Sequence, residues 1–106
     1  MLKFVDLPRK TPVKASIDSR KKHFKEIYAR YANNKALEQA SRCSQCGVPF
    51  CQIHCPLQNN IPDWLMLAAE DRLEEAYEIS SSTNNMPEVC GRICPQDKLC
   101  EGNCVI

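Results

Sequence analysis

The amino-acid sequence predicts an all-α fold, a small helical domain that needs cross-links beyond its hydrophobic core. Three observations support this prediction. The chain has 106 residues, a length that forms one domain and buries a modest fraction of its surface. Apolar residues recur at helical spacing, and no segment shows a convincing strand pattern. Eight cysteines lie between residues 43 and 104, far above ordinary usage.

The chain is expected to begin with an extended arm over residues 1–14, followed by a helical domain over residues 15–106. The arm contains two prolines and shows little periodicity. From about Ser16 a helix is predicted, because four apolar residues follow the i, i+3, i+4, i+7 spacing of one helix face. These residues are Phe24, Ile27, Tyr28 and Tyr31.

A second helix is predicted from about Lys35 to Arg42, capped by Asn33-Asn34, and it leads directly to the first cysteine. A third helix is expected to start at Asn60-Ile61-Pro62-Asp63, because proline and an acidic residue both favour a first helical turn. Trp64 follows and is expected in the core rather than against a cofactor.

Asp71-Arg72 indicates a break, after which Leu73 to Ile79 should form a further helix. Ala76 and Tyr77 are expected to point into the core. The run of polar residues from Ser80 to Asn85 predicts a turn, and Pro87 then leads into the second group of cysteines.

The cysteine spacing is the most specific signal in the sequence. The first group is Cys43-x2-Cys46-x4-Cys51-x3-Cys55-Pro, and the second is Cys90-x3-Cys94-Pro-x4-Cys100-x3-Cys104. Bacterial ferredoxins use C-x2-C-x2-C-x3-C-P, in which the last cysteine binds the other of two clusters. The first group differs in one longer gap. The spacing therefore predicts two [4Fe-4S] clusters and a ferredoxin-like electron-transfer role.

Zinc sites and disulfides are two other chemistries that use cysteine this densely. Two four-cysteine zinc sites would make a zinc-stapled interaction domain without a redox role, although zinc ligands usually come as separated two-cysteine knuckles. A disulfide scaffold requires an oxidising compartment. The charged N-terminus offers no signal-peptide core, so we expect a cytoplasmic location and reduced thiols.

No catalytic constellation is evident. Three glycines cannot form a phosphate-binding loop, and no Ser/His/Asp or Cys/His arrangement stands out. His23 is expected to be solvated, and His54, next to Cys55, to be a surface residue or to influence a cluster without binding it. The chain as given is therefore expected to have no catalytic site of its own.

The charge is uneven although the net charge is only +1. Residues 1–42 carry eleven Lys/Arg and four Asp/Glu, whereas residues 43–106 carry three and nine. A solvated, basic helix face explains the first part better than a nucleic-acid-binding arm does. The basic part is expected to dock on an acidic partner or on the acidic half of this domain. No apolar run is long enough to span a membrane.

Several stretches resemble the N-terminal domain of the glutamate synthase small (beta) subunit. They are Phe4-Val5-Asp6-Leu7, Arg42-Cys43-Ser44-Gln45-Cys46-Gly47-Val48-Pro49-Phe50-Cys51, Asn60-Ile61-Pro62-Asp63-Trp64-Leu65 and the run from Pro87 to Cys104. The same domain type occurs in dihydropyrimidine dehydrogenase and related flavoprotein subunits.

The resemblance implies an all-α domain with two [4Fe-4S] clusters that precedes FAD- and NADPH-binding domains. It implies electron transfer from NADPH and FAD to the FMN-containing large (alpha) subunit, which makes glutamate. It assigns Cys43, Cys46, Cys51 and Cys104 to cluster one, and Cys55, Cys94 and Cys100 to cluster two. The fourth ligand of cluster two is either Cys90 or, as in dihydropyrimidine dehydrogenase, a non-cysteine residue further downstream. Because the flavin region is missing, this chain alone should not oxidise NADPH.

Overall fold

A computed structural model describes all residues, Met1–Ile106, and shows a helical chain with one isolated antiparallel bridge between Lys14 and Tyr28. A 3-10 turn, Lys3–Val5, precedes six helices. The helices are α1 (Ile17–Arg20), α2 (Asn33–Ala40), α3 (Phe50–Ile53), α4 (Ile61–Ala69), α5 (Leu73–Ser81) and α6 (Pro87–Ile93). None of the helices is long and apolar enough to cross a membrane.

Helix α4 forms the centre of the fold and packs on α5 and α2, with a smaller contact to α3. Pro62 lies in its first turn with Asp63, as the sequence predicts. The break at Asp71-Arg72 and the helix after it are also confirmed, although α5 continues to Ser81. It ends where the Ser82 hydroxyl donates to the carbonyl of Ile79. Such side-chain bonds compete with the next helical bond.

The hydrophobic core is small. Six of 106 residues are buried, and only Ala40, Leu67 and Ala76 form an apolar core. The inward position predicted for Ala76 is confirmed, but that of Tyr77 is wrong, because its side chain is 63% exposed. Trp64 is half-buried. A domain with so little buried apolar surface depends on additional cross-links for its stability.

The long first helix predicted from Ser16 is wrong. Helix α1 ends at Arg20, and residues 27–29 instead lie extended beside residues 13–15. The Ala15 amide donates to the Ile27 carbonyl at 2.7 Å, and the Ala29 amide donates to the Val13 carbonyl at 2.9 Å. Continuing the helix would set Lys21 and Lys25 one turn apart, where like charges repel. The small core also offers nothing to cover the exposed Phe24.

Helix α2 begins earlier than predicted. Its N-cap is Ala32, whose side chain makes no capping bond, so Asn33-Asn34 lie inside the helix and do not cap it. The helix ends at Ala40, and Arg42 follows it in a turn. The sequence reasoning also missed α3 and α6. Pro87 in the first turn and Glu88 beside it are the signals that could have identified α6.

The N-terminal arm lies against the body of the domain. The amides of Leu2 and Lys3 donate to the carbonyls of Cys43 and Ser41, at 2.9 and 3.1 Å. Arg42 donates through Nε to the Leu7 carbonyl at 2.9 Å. These bonds fix the arm beside the start of the first cysteine group.

Two ion pairs connect the basic part of the chain to the acidic part. Arg9 pairs with Glu101, and Arg92 pairs with Glu26, with a shortest separation of 2.6 Å in the second pair. Both pairs are about half exposed, so solvent screening leaves each with little effect on stability. Only Arg9–Glu101 has the expected polarity, with a cation of the basic part on an anion of the acidic part, because the charges are reversed in Arg92–Glu26.

Asn59 is a buried polar link between the loop after the first cysteine group and the end of α5. Its side-chain amide donates to the carbonyl of Ser80 at 2.6 Å and to the hydroxyl of Thr83 at 3.0 Å. Its carbonyl oxygen accepts from Trp64 Nε1 at 2.9 Å. Asn59 therefore joins three segments that surround the end of the first cysteine group.

Replacing Asn59 with alanine is expected to lower the free energy of unfolding by about 2–4 kcal/mol, because the three hydrogen bonds of a buried side chain are lost. Thermal or urea unfolding followed by circular dichroism would measure this. Asn60→Ala is the matched control, since the Asn60 side chain bonds only to nearby Asp63. Equal destabilisation by the two substitutions would contradict the role given to Asn59.

Candidate metal centre

The eight cysteines are all free thiols, seven of them half-buried and Cys104 exposed. Those of the first group follow α2 and continue through α3, while those of the second group lie on α6 and in the turns after it. Helix α4 stands beside both the loop of Cys43 and the helix that carries Cys51. The fold thus brings the two distant groups towards one side of the molecule.

One cavity of about 400 Å³ collects the cysteines predicted to bind cluster one. Residues of α2 and the first turn of α4 complete its wall, among them Ala40, Pro62 and Trp64. Five thiols line the cavity: Cys43, Cys46, Cys51, Cys100 and Cys104. Cys100, assigned to cluster two by the resemblance, therefore also reaches this cavity. Cys55, Cys90 and Cys94 do not line it.

The electrostatics place Cys51 among several other thiols. Burial raises the pKa of the Cys51 thiol, and the nearby thiolates of Cys104, Cys43 and Cys100 raise it further, although a backbone amide at Gln52 acts in the opposite direction. A negative charge on Cys51 is thus disfavoured in the bare protein. A positively charged metal centre would remove that penalty, because it stabilises thiolates directly.

Cys100 connects this group to the second one. Burial raises its pKa, the backbone amide of Glu101 lowers it, and the thiolates of Cys94 and Cys55 raise it. The three cysteines assigned to cluster two are therefore close enough to interact electrostatically. Cys90 is not among the groups that influence either Cys51 or Cys100. Its thiol instead lies 3.6 Å from the side-chain oxygen of Asn84.

The thiols are too far apart to bind one metal ion together. No group of three or more His, Cys, Asp or Glu side chains is gathered closely enough to hold one metal ion. Ligands of one zinc ion all lie about 2.3 Å from the same atom, whereas the ligands of a cubane bind four different irons and lie further apart. Five thiols line the cavity, and the one carboxylate on its wall, that of Glu101, is paired with Arg9, so the available donor set suits an iron–sulfur cluster.

Side-chain and backbone donors point at two of these sulfurs. Gln45 Nε2 lies 3.4 Å from Cys43 Sγ, and Ser44 Oγ lies 3.0 Å from Cys46 Sγ. Such bonds to thiolates are typical of iron–sulfur sites, where they help to set the reduction potential. The sequence reasoning did not identify either residue. Their position between two predicted ligands was the only available signal.

The two histidines are outside the cavity. His54 is exposed, and its Nδ1 lies 2.9 Å from the carbonyl of Phe50, so it closes the end of α3. His23 is half-buried, not solvated as expected, and its Nδ1 accepts from the Lys25 amide at 3.2 Å. Both contacts support local backbone structure.

Comparison with known proteins agrees with this donor set. Residues 20–106 match the family model described as dihydropyrimidine dehydrogenase domain II, 4Fe-4S cluster. The small chain of glutamate synthase [NADPH] from Azospirillum brasilense is 65% identical over all 106 residues. The corresponding Escherichia coli K12 protein is 52% identical over 103 residues, 97% of this chain. The E. coli AegA protein, an oxidoreductase by name, is 46% identical over 99 residues, 92% of this chain.

The chain spans about a fifth of the length of these relatives, 22% of the two glutamate synthase small chains and 15% of AegA. The resemblance to glutamate synthase small chains is confirmed across the whole chain. The match to the family model covers everything after the N-terminal arm and the start of α1, including all eight cysteines. The chain therefore belongs to the family of 4Fe-4S domains represented by dihydropyrimidine dehydrogenase domain II.

Proposed function

We propose that this chain transfers electrons through two [4Fe-4S] clusters between an NADPH/FAD module and the FMN-containing large subunit of glutamate synthase, in glutamate biosynthesis. The observation that supports this most directly is the cavity lined by Cys43, Cys46, Cys51 and Cys104. The sulfurs of these four cysteines come from two distant segments, as in two-cluster ferredoxins. When bound, each cluster supplies a one-electron carrier.

Cluster one would be held by these four cysteines, and cluster two by Cys55, Cys94 and Cys100. The electrostatic interaction of Cys100 with Cys94 and Cys55 supports the second set. For the fourth ligand of cluster two, Cys90 is the remaining thiol of the chain, and a downstream non-cysteine residue is the alternative. The iron content of Cys90→Ala distinguishes these two alternatives. If Cys90 is the fourth ligand, the substitution should remove cluster two and its iron.

Metal analysis tests the proposal. Protein purified or reconstituted without oxygen should be brown, contain about eight iron atoms per chain and bleach with dithionite. Zinc in place of iron, in colourless protein, would support the alternative of a zinc-stapled interaction domain. Half the expected iron would show that only one cluster is bound.

The flavoprotein partner is the second part of the proposal. The small-chain relatives are named for glutamate synthase [NADPH], which supports a large subunit as partner. The resemblance described above implies a flavin domain in the same small subunit. The similarity to AegA supports the use of the same module in another oxidoreductase. Electron transfer from NADPH to the large subunit, measured with the complete small subunit, would decide between them.

The turn after α1 is the best candidate for contact with the large subunit. Phe24 is fully exposed at this turn, and the neighbouring cations form no ion pair. These cations are Arg20, Lys21, Lys22 and Lys25. An exposed aromatic side chain surrounded by positive charge fits an acidic surface with an apolar recess.

Phe24→Ala is expected to weaken binding of the large subunit by about tenfold or more, the effect of losing an aromatic anchor. Surface plasmon resonance between the separately purified subunits would measure the dissociation constant. Val13→Ala is the control, because Val13 is exposed in the extended segment whose backbone bonds to residues 27–29 and is not part of the turn after α1. Unchanged affinity in Phe24→Ala would place the contact elsewhere.

A further inference from the structure

The two residues between Cys43 and Cys46 direct hydrogen-bond donors at both of these sulfurs. The Gln45 backbone amide lies 3.5 Å from Cys43 Sγ, and the Gln45 side-chain Nε2 lies 3.4 Å from the same atom. The Ser44 hydroxyl lies 3.0 Å from Cys46 Sγ. Once Cys46 is a thiolate it can only accept, so Ser44 must be the donor in that bond.

Gln45 also ties this loop to the central helix. Its side-chain NH2 group has two hydrogens, and the second bonds to the carbonyl of buried Pro62 at 2.7 Å, in the first turn of α4. The backbone of Gln45 is left-handed, with φ 54°. This conformation is strained for a residue with a Cβ. The same residue makes the side-chain bonds to Cys43 Sγ and to the Pro62 carbonyl.

No other predicted ligand receives a side-chain donor. The sulfurs of Cys51, Cys55, Cys94, Cys100 and Cys104 accept no side-chain hydrogen bond in the structure. Side-chain donors are therefore directed only at predicted ligands of cluster one. Reduction adds negative charge that is shared with the sulfurs, so donors aimed at them stabilise the reduced state more than the oxidised state.

We propose that Gln45 and Ser44 are positioning residues that raise the reduction potential of cluster one by donating to Cys43 and Cys46. This inference rests on the proposed function, in which those cysteines bind that cluster. Gln45 in addition fixes Cys43 Sγ relative to α4 through Pro62. The two side chains thereby make cluster one a better electron acceptor than its cysteine ligands alone would.

The test uses Gln45→Met, which keeps the side-chain length without the donor, and Ser44→Ala. Anaerobic redox titrations followed by electron paramagnetic resonance give the potential of each cluster separately. Each substitution should lower the reduced-to-oxidised ratio of cluster one at a fixed potential by up to about tenfold, which equals about 59 mV for one electron. The potential of cluster two should not change, and this is an internal control.

Gln58→Met is the matched control. Gln58 has the same left-handed backbone, with φ 49°, but it is exposed and its side chain makes no hydrogen bond. It should leave both potentials unchanged. If Gln45→Met and Ser44→Ala keep full iron and an unaltered cluster-one potential, the inference is wrong. If Gln45→Met loses iron, the test is made with Ser44→Ala alone. Full iron with an unaltered cluster-one potential in Ser44→Ala would then show that the inference is wrong. Unaltered protein without iron would instead overturn the proposed function itself.

Discussion

Replacing Cys51 with alanine is expected to halve the iron content and to destabilise the domain by about 4 kcal/mol or more. Cys51 lines the cavity together with Cys43, Cys100 and Cys104, and the thiolates of these three cysteines raise its pKa. A cluster that loses one of four protein ligands from a shared cavity is not retained. Since only three apolar residues form the core, bonds to metal supply much of the folding energy.

Iron and sulfide analysis, together with thermal unfolding under argon, would measure both effects. Val48→Ala is the control, because Val48 lies in the loop just before α3, which carries Cys51, and its side chain is exposed. It should keep both clusters and the stability of the unaltered protein. Full iron in Cys51→Ala would remove Cys51 from the ligand set. Retained iron together with reduced stability would give this residue a packing role only.

Gly102→Ala should be the most damaging change that touches no ligand. A Cβ built at Gly102 would lie 2.0 Å from the backbone oxygen of Asp97 and 2.7 Å from its carbonyl carbon. Backbone atoms cannot move aside as the end of a flexible side chain can. The turn that carries Cys100 and Cys104 must therefore open, at a cost of about 3 kcal/mol or more.

The expected result is loss of iron from both clusters, because this turn supplies a predicted ligand to each. Gly91→Ala and Gly47→Ala are matched controls, since a Cβ at either position meets no atom within 4 Å. Iron content and the visible absorption of reconstituted protein would compare the three. Normal iron binding by Gly102→Ala would show that the turn can rearrange freely.

The sequence predicted those helices whose local signals agree with their packing. Pro62 and Asp63 mark the start of α4, and the break at Asp71-Arg72 separates it from α5. The helix predicted from Ser16 is not formed, because its apolar residues have helical periodicity but the small core has no surface that could cover Phe24. Spacing cannot show whether a partner for an apolar face exists.

The candidate site could be predicted in part. Close spacing was enough to suggest that Cys43, Cys46 and Cys51 share a loop around one centre. Cys104 was predicted as the fourth ligand of cluster one only from the resemblance. Local spacing does not show which remote segment of the chain packs beside the loop of Cys43 and Cys46. The roles of Gln45 and Ser44 depend on atomic distances, which the sequence does not contain.

Both ends of the chain lie beside the same cavity. The Leu2 amide bonds to the carbonyl of Cys43, and Ile106 forms part of the cavity wall. A segment that follows Ile106 in a longer polypeptide would start next to this cavity, and its encounter with a cluster bound there would be intramolecular. Short covalent links give effective concentrations in the millimolar range. Attachment alone would then keep an electron donor within reach, without the need for a high-affinity contact.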